Sequence, residues 1–220
     1  MMELKKLSLA SLAIKLEALQ GFEKPNPKTE QYRTESTIAA TMLWHAYLNN
    51  NLANQKVVDF GCGTGILGIG ALLLGAKQCL FVDYDASALA ILKKNLETTK
   101  CTRKAKIIQY EIKQYPEENK ELEQLLVAYK PYLLVQNPPF GTKKKHADLS
   151  FLLLGFLHTK VIYSIHKTST LHFLEKKAKE QGWHIQEIVH HNYPLKPTMQ
   201  YHKKNKKIIK TSMIVFKKLP

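Results

Sequence analysis

Short apolar segments alternate with amphipathic helical segments from residue 56 onward, and no other feature constrains the fold as much. Short apolar runs indicate strands, whereas apolar residues spaced three or four apart indicate helices. Strands that alternate with helices form a mostly parallel sheet covered on both faces. The pattern predicts strands at 56–60, 78–82, 105–110, 132–136 and 160–165, and helices at 66–74, 86–97, 118–129, 149–157 and 169–181.

The chain closes with two longer strand patterns, at 184–191 and 208–217, without a helix between them. Strands joined in this way pair antiparallel, so one antiparallel strand is expected near an edge of the sheet. With the earlier strands, this predicts an α/β chain whose seven-stranded sheet is Rossmann-like, a variant of the doubly wound fold.

The first 50 residues are expected to form a helical extension ahead of the sheet domain at 51–220. Leucines recur at near-helical spacing through 3–20, and a second helix is predicted at 36–48 after a loop with two prolines. A chain of 220 residues fits one domain with such an extension. Leu43, Trp44 and Tyr47 lack evident partners, which predicts a hydrophobic face covered by a small partner subunit or a second copy.

The charge of the chain indicates its class of partner. Thirty-three basic residues against eighteen acidic ones give a net charge of +15. A basic surface attracts polyanions and releases counterions on meeting phosphates, which favours nucleic acid. A lysine-rich genome would raise the charge without any binding role, but the lysines cluster. Lys143, Lys144 and Lys145 form one run, and another group near the C-terminus includes Lys203 and Lys204.

Cysteine usage and hydropathy indicate the compartment. The three cysteines form no C-x-x-C pair, which argues against a disulfide framework or a cysteine zinc site and favours a reducing cytosol. No apolar run approaches the roughly 18 to 20 residues that span a bilayer. The N-terminus lacks a secretory apolar region and cleavage site. We therefore expect a cytoplasmic protein with no membrane partner and no metal site.

A glycine-rich loop, Asp59-x-Gly61-x-Gly63-x-Gly65, connects the first strand of the alternating region to a helix, where open α/β sheets bind ligands. The loop also fits the dinucleotide fingerprint, so its glycines alone do not separate a nicotinamide cofactor from S-adenosylmethionine. Asp59 before the first glycine favours S-adenosylmethionine. Asp83 follows Gly61 by 22 residues, at the end of the second strand, and can accept both ribose hydroxyls.

The tetrapeptide Asn137-Pro138-Pro139-Phe140 follows the fourth strand and suits methyl transfer to a planar nitrogen. The lone pair of such an amine is delocalised, so acceptors must hold its hydrogens before the nitrogen can attack. Asn137 and Pro138 offer a side-chain and a backbone carbonyl, and the two prolines restrict the backbone that carries them. Phe140 offers a face on which a base can stack, worth roughly 1–3 kcal/mol.

Several functions remain open on this reasoning. The amine can be adenine-N6 or guanine-N2 in RNA, adenine in DNA, or a glutamine side chain in a release factor. The glutamine enzymes usually have Tyr where this chain has Phe140. From a different class, a noncatalytic RNA-binding assembly factor could retain the fold, although the intact glycine loop and tetrapeptide argue against it.

Several stretches of the chain resemble, in the same order, the methyltransferase-like protein 5 family and its archaeal relatives. The resemblance covers nearly the whole chain and implies a class I S-adenosylmethionine-dependent methyltransferase fold that makes N6-methyladenosine in small-subunit ribosomal RNA. Eukaryotic members work with a small zinc-binding activator subunit, and a eukaryotic source would add the nucleus or nucleolus as locations. The matching stretches are Gly21-Phe22-Glu23-Lys24-Pro25, Glu30-Gln31-Tyr32-x-Thr34, Asn137-Pro138-Pro139-Phe140-Gly141-Thr142-Lys143, Asp148-x-x-Phe151-Leu152, Tyr163-Ser164-x-His166-Lys167 and His202-Lys203-Lys204.

The resemblance also implies roles for individual residues. Residues 1–50 would supply a loop in which Gln31 and Thr34 fold over the cofactor. Gly61 and Gly63 would contact its methionine part beside Asp59, and Asp83 would bind its ribose. Relatives often carry Asp where this chain has Glu111, a longer acid that would still reach the amine of the cofactor's adenine. Asn137 would contact both cofactor and target, and Pro138, Pro139 and Phe140 would complete the catalytic pocket. The expected RNA contacts are Lys143, Lys144, Lys145, Lys167, Lys203 and Lys204.

Overall fold

The chain builds a seven-stranded sheet with helices on both faces. A computed structural model describes residues 7–23, 25, 31–113, 119–140, 147–194 and 208–219. The helices are α1 (Leu9–Glu17), α2 (Ser36–Leu48), α3 (Ile66–Leu73), α4 (Ala86–Thr98), α5 (Lys120–Tyr129), α6 (Ala147–His158) and α7 (Leu171–Glu180). The strands are β1 (Lys56–Phe60), β2 (Gln78–Asp83), β3 (Ala105–Gln109), β4 (Leu133–Gln136), β5 (Val161–Lys167), β6 (Trp183–Pro194) and β7 (Ile208–Lys218).

The strand order is β3-β2-β1-β4-β5-β7-β6. The first five strands pair in parallel, and β7 lies antiparallel between β5 and β6. The predicted seven-stranded α/β sheet with an antiparallel strand near one edge is therefore confirmed. Chain order reverses between β1 and β4, which places a crevice at their carboxyl ends.

The helices and strands follow the predicted pattern with small shifts at their ends. The first helix is shorter than the predicted 3–20, because Ser8 and Ser11 form a reciprocal capping box that starts it at Leu9. The helix predicted at 149–157 begins earlier, at Ala147. The strand predicted to end at 165 continues to Lys167, where a short 3₁₀ turn precedes α7.

The N-terminal helices pack into the same core as one face of the sheet. Leu12 and Leu16 of α1 are fully buried, and α2 and α3 join them in one hydrophobic cluster. Leu43 has no exposed surface, and the rings of Trp44 and Tyr47 contact each other at 5.5 Å between centroids while packing on this cluster. Leu43 therefore finds its partners within the chain, on α1 and α3, which the sequence pattern did not show. Trp44 and Tyr47 remain half-buried, and a hydrophobic face covered by a partner subunit or a second copy stays a prediction.

The opposite face carries a second apolar layer. Trp183 and Phe216 are fully buried there beside Phe156 of α6, with which both rings make contact. In this layer, helices α5, α6 and α7 pack against side chains from β1, β2, β4, β5 and β7. Within the described ranges, no helix is both long and apolar enough to cross a membrane.

Candidate active site

Two adjoining clefts open at the carboxyl ends of β1, β2 and β4. The larger encloses about 630 Å³ of empty space and the smaller about 350 Å³. Both are lined by Gly61, Gly63 and Asn137, so the glycine loop and the Asn137–Phe140 tetrapeptide meet at one place. Phe22 and Tyr32 line both clefts as well, which brings the N-terminal segment to the same site.

The glycine loop turns tightly because its backbone is tied to β2. The amides of Gly61 and Cys62 both donate to the carbonyl of Val82, at 2.8 and 3.1 Å. Gly63 has a φ of +52°, and a Cβ built there would lie 2.7 Å from the Phe22 ring. A residue larger than glycine would therefore be strained and would displace that ring. The loop presents bare backbone to the clefts.

Asp59 organises the start of α3 from beneath the loop. Its carboxylate accepts the amide of Gly68 at 2.8 Å, and the residue is 1% exposed. Burial raises the pKa of Asp59 to about 8, and the nearby Asp83 adds to this rise, against the hydrogen bond from Gly68. A carboxyl in this state is poised to ionise when a cation approaches.

Asp83 ends β2 and holds the loop from the other side. Its two oxygens accept the amides of Gly63 at 2.7 Å and Asp85 at 3.0 Å. Burial raises its pKa, while these backbone hydrogen bonds lower it. Asp83 lines the larger cleft, and an ionised carboxylate has about four acceptor positions, so it can accept further donors. Asp83 therefore both shapes the loop and can accept hydroxyl groups.

Residues 31–34 connect the N-terminal helices to both halves of the site. Gln31 donates to the carboxylate of Asp85 at 2.6 Å. The ring of Tyr32 lies 5.4 Å from that of Phe140, between centroids. The guanidinium of Arg33 donates to the carbonyls of Leu16 and Glu17 at the end of α1. This segment, named here the strap, is tied to α1, α4 and the tetrapeptide at once.

Thr34 completes the strap by fixing the orientation of Asn137. The side-chain nitrogen Nδ2 of Asn137 donates to the Thr34 hydroxyl at 3.0 Å. The carbonyl oxygen Oδ1 is buried and has no hydrogen-bond partner among the described residues. A buried acceptor without a partner is costly. Asn137 therefore carries a tethered amide whose acceptor the described residues leave unused.

The rest of the tetrapeptide is less accessible. Pro139 lines the larger cleft, whereas Pro138 and Phe140 are buried, the latter 5% exposed. Phe140 joins the core cluster on which the strap's Tyr32 packs. Its predicted role as a stacking face stays a prediction.

Glu111 lies apart from the clefts. It is exposed, while its neighbours Tyr110 and Ile112 line the larger cleft. Neighbouring residues of an extended chain face opposite ways, so Tyr110 and Ile112 take the inward positions. The contact predicted for Glu111 has no support in the cleft lining, and Tyr84, Tyr110 and Ile112 form an apolar and aromatic wall there instead.

Sequence reasoning passed over two residues that hold the site together. Asn95 donates to the carbonyls of Thr64 and Gln20, and accepts the amide of Gln20. It thereby clamps the glycine loop to the chain preceding Phe22. A signal existed for Asn95, which lies on the apolar stripe of α4 beside Leu92 and Leu96. Phe22 carried no signal beyond its place in a matching stretch.

The cysteine in the glycine loop is not a nucleophile. Cys62 is 6% exposed, and burial together with the nearby Asp59 raises the pKa of its thiol. A neutral buried thiol is unreactive, so packing explains this residue.

The predicted RNA-binding lysines are mostly outside the described residues. Lys167 lies at the end of β5, the same end of the sheet as the clefts, and is half-buried. The other predicted contacts, Lys143, Lys144, Lys145, Lys203 and Lys204, lie outside the described ranges.

The clefts fit S-adenosylmethionine on the chemistry of their donors and acceptors. Asp83 offers carboxylate oxygens for ribose hydroxyls, and the wall formed by Tyr84, Tyr110 and Ile112 suits a flat adenine. In the smaller cleft, the buried Asp59 suits a cationic group beside the bare loop backbone. Asn137 lines both clefts, and its Oδ1 has no partner among the described residues.

Comparisons with known proteins agree with this site. A family model described as ribosomal protein L11 methyltransferase (PrmA) matches residues 34–186. The rRNA N(6)-adenosine-methyltransferase METTL5 of Danio rerio is 32% identical over 96% of this chain and 99% of its own length. Its Caenorhabditis elegans counterpart is 33% identical over 93% and 95%. A crystal structure of a candidate RNA methyltransferase from Pyrococcus horikoshii has 33% identity and a TM-score of 0.83, covering 97% of this chain and 99% of that one.

Fold, clefts and relatives define a class I methyltransferase, for which S-adenosylmethionine is the methyl donor. The predicted fold class and cofactor are thereby confirmed. Within that class, the chain belongs to the family of the METTL5 rRNA N(6)-adenosine-methyltransferases, as the resemblance indicated.

Proposed function

We propose that this protein transfers a methyl group from S-adenosylmethionine to the N6 amine of an adenosine in small-subunit ribosomal RNA. The observation that carries the proposal is the tethered amide of Asn137, whose Oδ1 is buried without a partner among the described residues. The names of the relatives support adenosine in ribosomal RNA as the substrate. The choice of the small subunit rests on the resemblance alone.

Methyl transfer to this amine requires the protein to orient the nitrogen lone pair. Asn137 Oδ1 accepts one hydrogen of the incoming amine, and the carbonyl of Pro138 accepts the other, so that the nitrogen lone pair turns toward the methyl group. Bound S-adenosylmethionine supplies an electrophilic methyl on a cationic sulfur. The chain needs no strong base, because the methylated nitrogen can lose its proton after attack.

The target base enters beside Pro139 in the larger cleft. Stacking on Phe140 requires the Tyr32 ring to move aside, because the two rings now contact each other. An amine within a paired helix cannot reach Asn137, so the target is an extruded base in a loop, a junction or an easily opened pair.

Docking of the RNA is assigned to the lysines that the sequence predicts as RNA contacts, of which Lys167 lies among the described residues. Neutralising Lys143, Lys144 and Lys145 together should raise the KM for RNA and flatten its dependence on salt, with less effect on kcat. Turnover measured against RNA concentration at several salt levels checks this expectation. An unchanged salt slope would remove this run from the RNA contact, while Lys167, Lys203 and Lys204 would remain to be tested in the same way.

Residues 1–50 are proposed as a functional extension that covers the cofactor, with 51–220 as the methyltransferase domain. Phe22 over Gly63, Gln31 on Asp85 and Thr34 on Asn137 support a covering role. A small zinc-binding activator subunit is proposed as a partner from the family resemblance. Three buried free cysteines agree with a cytoplasmic location.

The decisive experiment incubates small and large ribosomal subunits separately with isotope-labelled S-adenosylmethionine and the purified chain. Nucleoside mass spectrometry should find N6-methyladenosine in small-subunit RNA, and Asn137→Ala should abolish it. N2-methylguanosine, methylated DNA or labelled protein would each assign a different amine. Cofactor binding without transfer to any substrate, with or without the activator, would indicate an assembly factor.

A further inference from the structure

A chain of four polar side chains runs through the interior beneath the tetrapeptide. Gln136 Nε2 donates to Ser164 Oγ at 3.0 Å, and Ser164 Oγ lies 2.7 Å from His166 Nε2. His166 Nδ1 lies 3.2 Å from Asp148 Oδ2. Gln136, Ser164 and His166 have no exposed surface, and Asp148 is 9% exposed. None of the four lines either cleft.

The donors and acceptors of this chain run in one direction. The amide nitrogen of Gln136 can only donate, so Ser164 accepts from it, and when His166 is neutral with its hydrogen on Nδ1, the Ser164 hydroxyl donates to Nε2. The remaining nitrogen of His166 then carries the hydrogen that Asp148 accepts. Burial alone would raise the pKa of Asp148, but the hydrogen bonds that it accepts, chiefly from His166, outweigh burial and lower that pKa.

The serine, histidine and aspartate follow the order of a hydrolase triad, but they cannot act as one. A nucleophilic serine must reach substrate. Ser164 is fully buried beneath the sheet's second apolar layer and opens to neither cleft. The arrangement therefore acts on the residues that flank it rather than on a substrate.

The two ends of the chain flank the tetrapeptide. Gln136 is the last residue of β4 and directly precedes Asn137, while Asp148 lies in the first turn of α6. Ser164 is the register partner of Gln136 on the neighbouring strand. Apolar side chains would fill this position without the cost of burying four polar groups. The three hydrogen bonds of this network instead favour one arrangement of the elements that they join, while Gln136 Oε1 has no partner among the described residues.

We propose that the network Gln136–Ser164–His166–Asp148 fixes the strand end that carries Asn137 relative to α6, and that Ser164 and His166 are positioning residues for methyl transfer. The proposal rests on the function proposed above, because it takes Asn137 as the acceptor for the amine. Loss of the network lets the Asn137 acceptor shift while leaving the cofactor loop, on β1 and β2, unchanged.

The test compares Ser164→Ala, His166→Asn and His166→Gln in the full chain. Asparagine at this position keeps a donor for the hydrogen bond to Asp148 but loses the hydrogen bond to Ser164. Glutamine reaches Ser164 but loses the hydrogen bond to Asp148. Tyr163→Phe is the matched control. It removes a buried hydroxyl from the adjacent residue of β5, which faces His45 and Asn51 on the opposite side of the sheet. Thermal unfolding of all variants corrects for general loss of stability.

We expect Ser164→Ala to lower kcat by about 10- to 100-fold, the effect of a small misplacement of a reacting group. The Kd for S-adenosylmethionine should stay within about twofold, and Tyr163→Phe should retain kcat at an equal loss of thermal stability. Both His166 variants should have a lower kcat than the wild type. Adding Ser164→Ala to His166→Asn should lower kcat little further, because the bond between the two residues is already lost. If the network has a purely structural role, kcat should instead fall and the Kd should rise together, in proportion to the loss of thermal stability.

Hydrogen exchange of 133–140 and 147–152 provides a readout that does not require RNA. These segments should exchange faster in Ser164→Ala than in Tyr163→Phe, with S-adenosylmethionine bound. If the wild type methylates no RNA, the proposed function fails. The exchange rates still show whether the network fixes the strand end relative to α6. Equal exchange in the two variants, or kcat within about twofold of the wild type for Ser164→Ala, overturns the proposal.

Discussion

The two halves of the site differ in how their polar groups are used. On the β1–β2 half, the carboxylates of Asp59 and Asp83 accept backbone amides of their own loop. On the β4–β5 half, the carbonyl oxygens of Gln136 and Asn137 are buried without a partner among the described residues. The chain itself completes the first half, and it leaves acceptors open in the second.

This contrast separates binding from chemistry. A loop held by its own carboxylates keeps its shape before a ligand arrives, so little ordering is needed when the cofactor binds. An acceptor left open at Asn137 gains its partner only when an amine is presented, which concentrates its effect on turnover. Substitutions on the two halves should therefore change different kinetic constants.

The largest effect is expected from Asn137→Ala. Removing the acceptor should lower kcat by about 100-fold or more, the usual loss for one preorganised hydrogen-bonding group. The Kd for S-adenosylmethionine should change little, because the β1–β2 loop is intact. Single-turnover kinetics and calorimetry measure the two constants. Asn51→Ala, which removes another buried asparagine away from the clefts, is the control. A variant that keeps more than about a tenth of the rate would contradict the role.

A weaker effect, on cofactor affinity rather than on kcat, is expected from Asp83→Ala. Loss of its hydrogen bonds should weaken the binding of S-adenosylmethionine by roughly 1–3 kcal/mol, with kcat at saturating cofactor retained. Calorimetry measures the affinity, and thermal unfolding checks whether the loop collapses without its contact to Gly63. Equal affinity in variant and wild type would show that Asp83 only supports the loop.

How far the sequence predicts this molecule depends on how local each signal is. Periodic apolar runs predict the helix at 36–48 and the strand at 56–60 with their observed bounds. The order of the strands depends on long-range packing, and no pattern of the chain specifies it. For the same reason the core partners of Leu43 were missed, since they come from α1 and α3.

The site residues also differ in whether a local sequence signal predicts them. Asp59, Asp83 and Asn137 could be found because each lies at or next to the end of a strand within a recognisable motif. The tie between Thr34 and Asn137 spans 103 positions, and no spacing rule predicts it. The alternation of an extended chain explains the exposed position of Glu111, but the phase of that alternation became known only from the structure.

A third test uses the raised pKa of Asp59, about 8 in the free protein. A cationic ligand beside it lowers that pKa, so binding releases a proton. Affinity should therefore rise with pH below about 8, by up to tenfold per unit, and level off above that value. Asp59→Asn should lose this part of the slope. Calorimetry in two buffers of different ionisation enthalpy measures the released proton, and the difference between the two proteins isolates Asp59.

The free energy of unfolding should fall as the pH rises, whereas the affinity for the ligand should increase. Unfolded, Asp59 loses its proton above about pH 4, whereas the folded protein retains it up to about 8. The stabilisation linked to this proton is fully present below pH 4 and is lost as the pH rises through 8. Denaturant unfolding without ligand should show this fall, and Asp59→Asn should remove it. A pH-independent difference between the two proteins would contradict the raised pKa.

The smallest expected effect tests the link between the two halves. Thr34→Val removes the hydroxyl that holds Asn137 Nδ2 while keeping the size of the side chain. A neutral hydrogen bond contributes about 0.5–1.5 kcal/mol, so the change should lower kcat by about two- to tenfold. Thr34→Ser keeps the hydroxyl and should restore the rate. If Thr34 instead serves mainly to cover the cofactor, Thr34→Val will raise the Kd for S-adenosylmethionine and leave kcat unchanged. Adding Thr34→Val to Asn137→Ala separates the two roles again, because a residue that acts only through the Asn137 amide has nothing left to orient in that background.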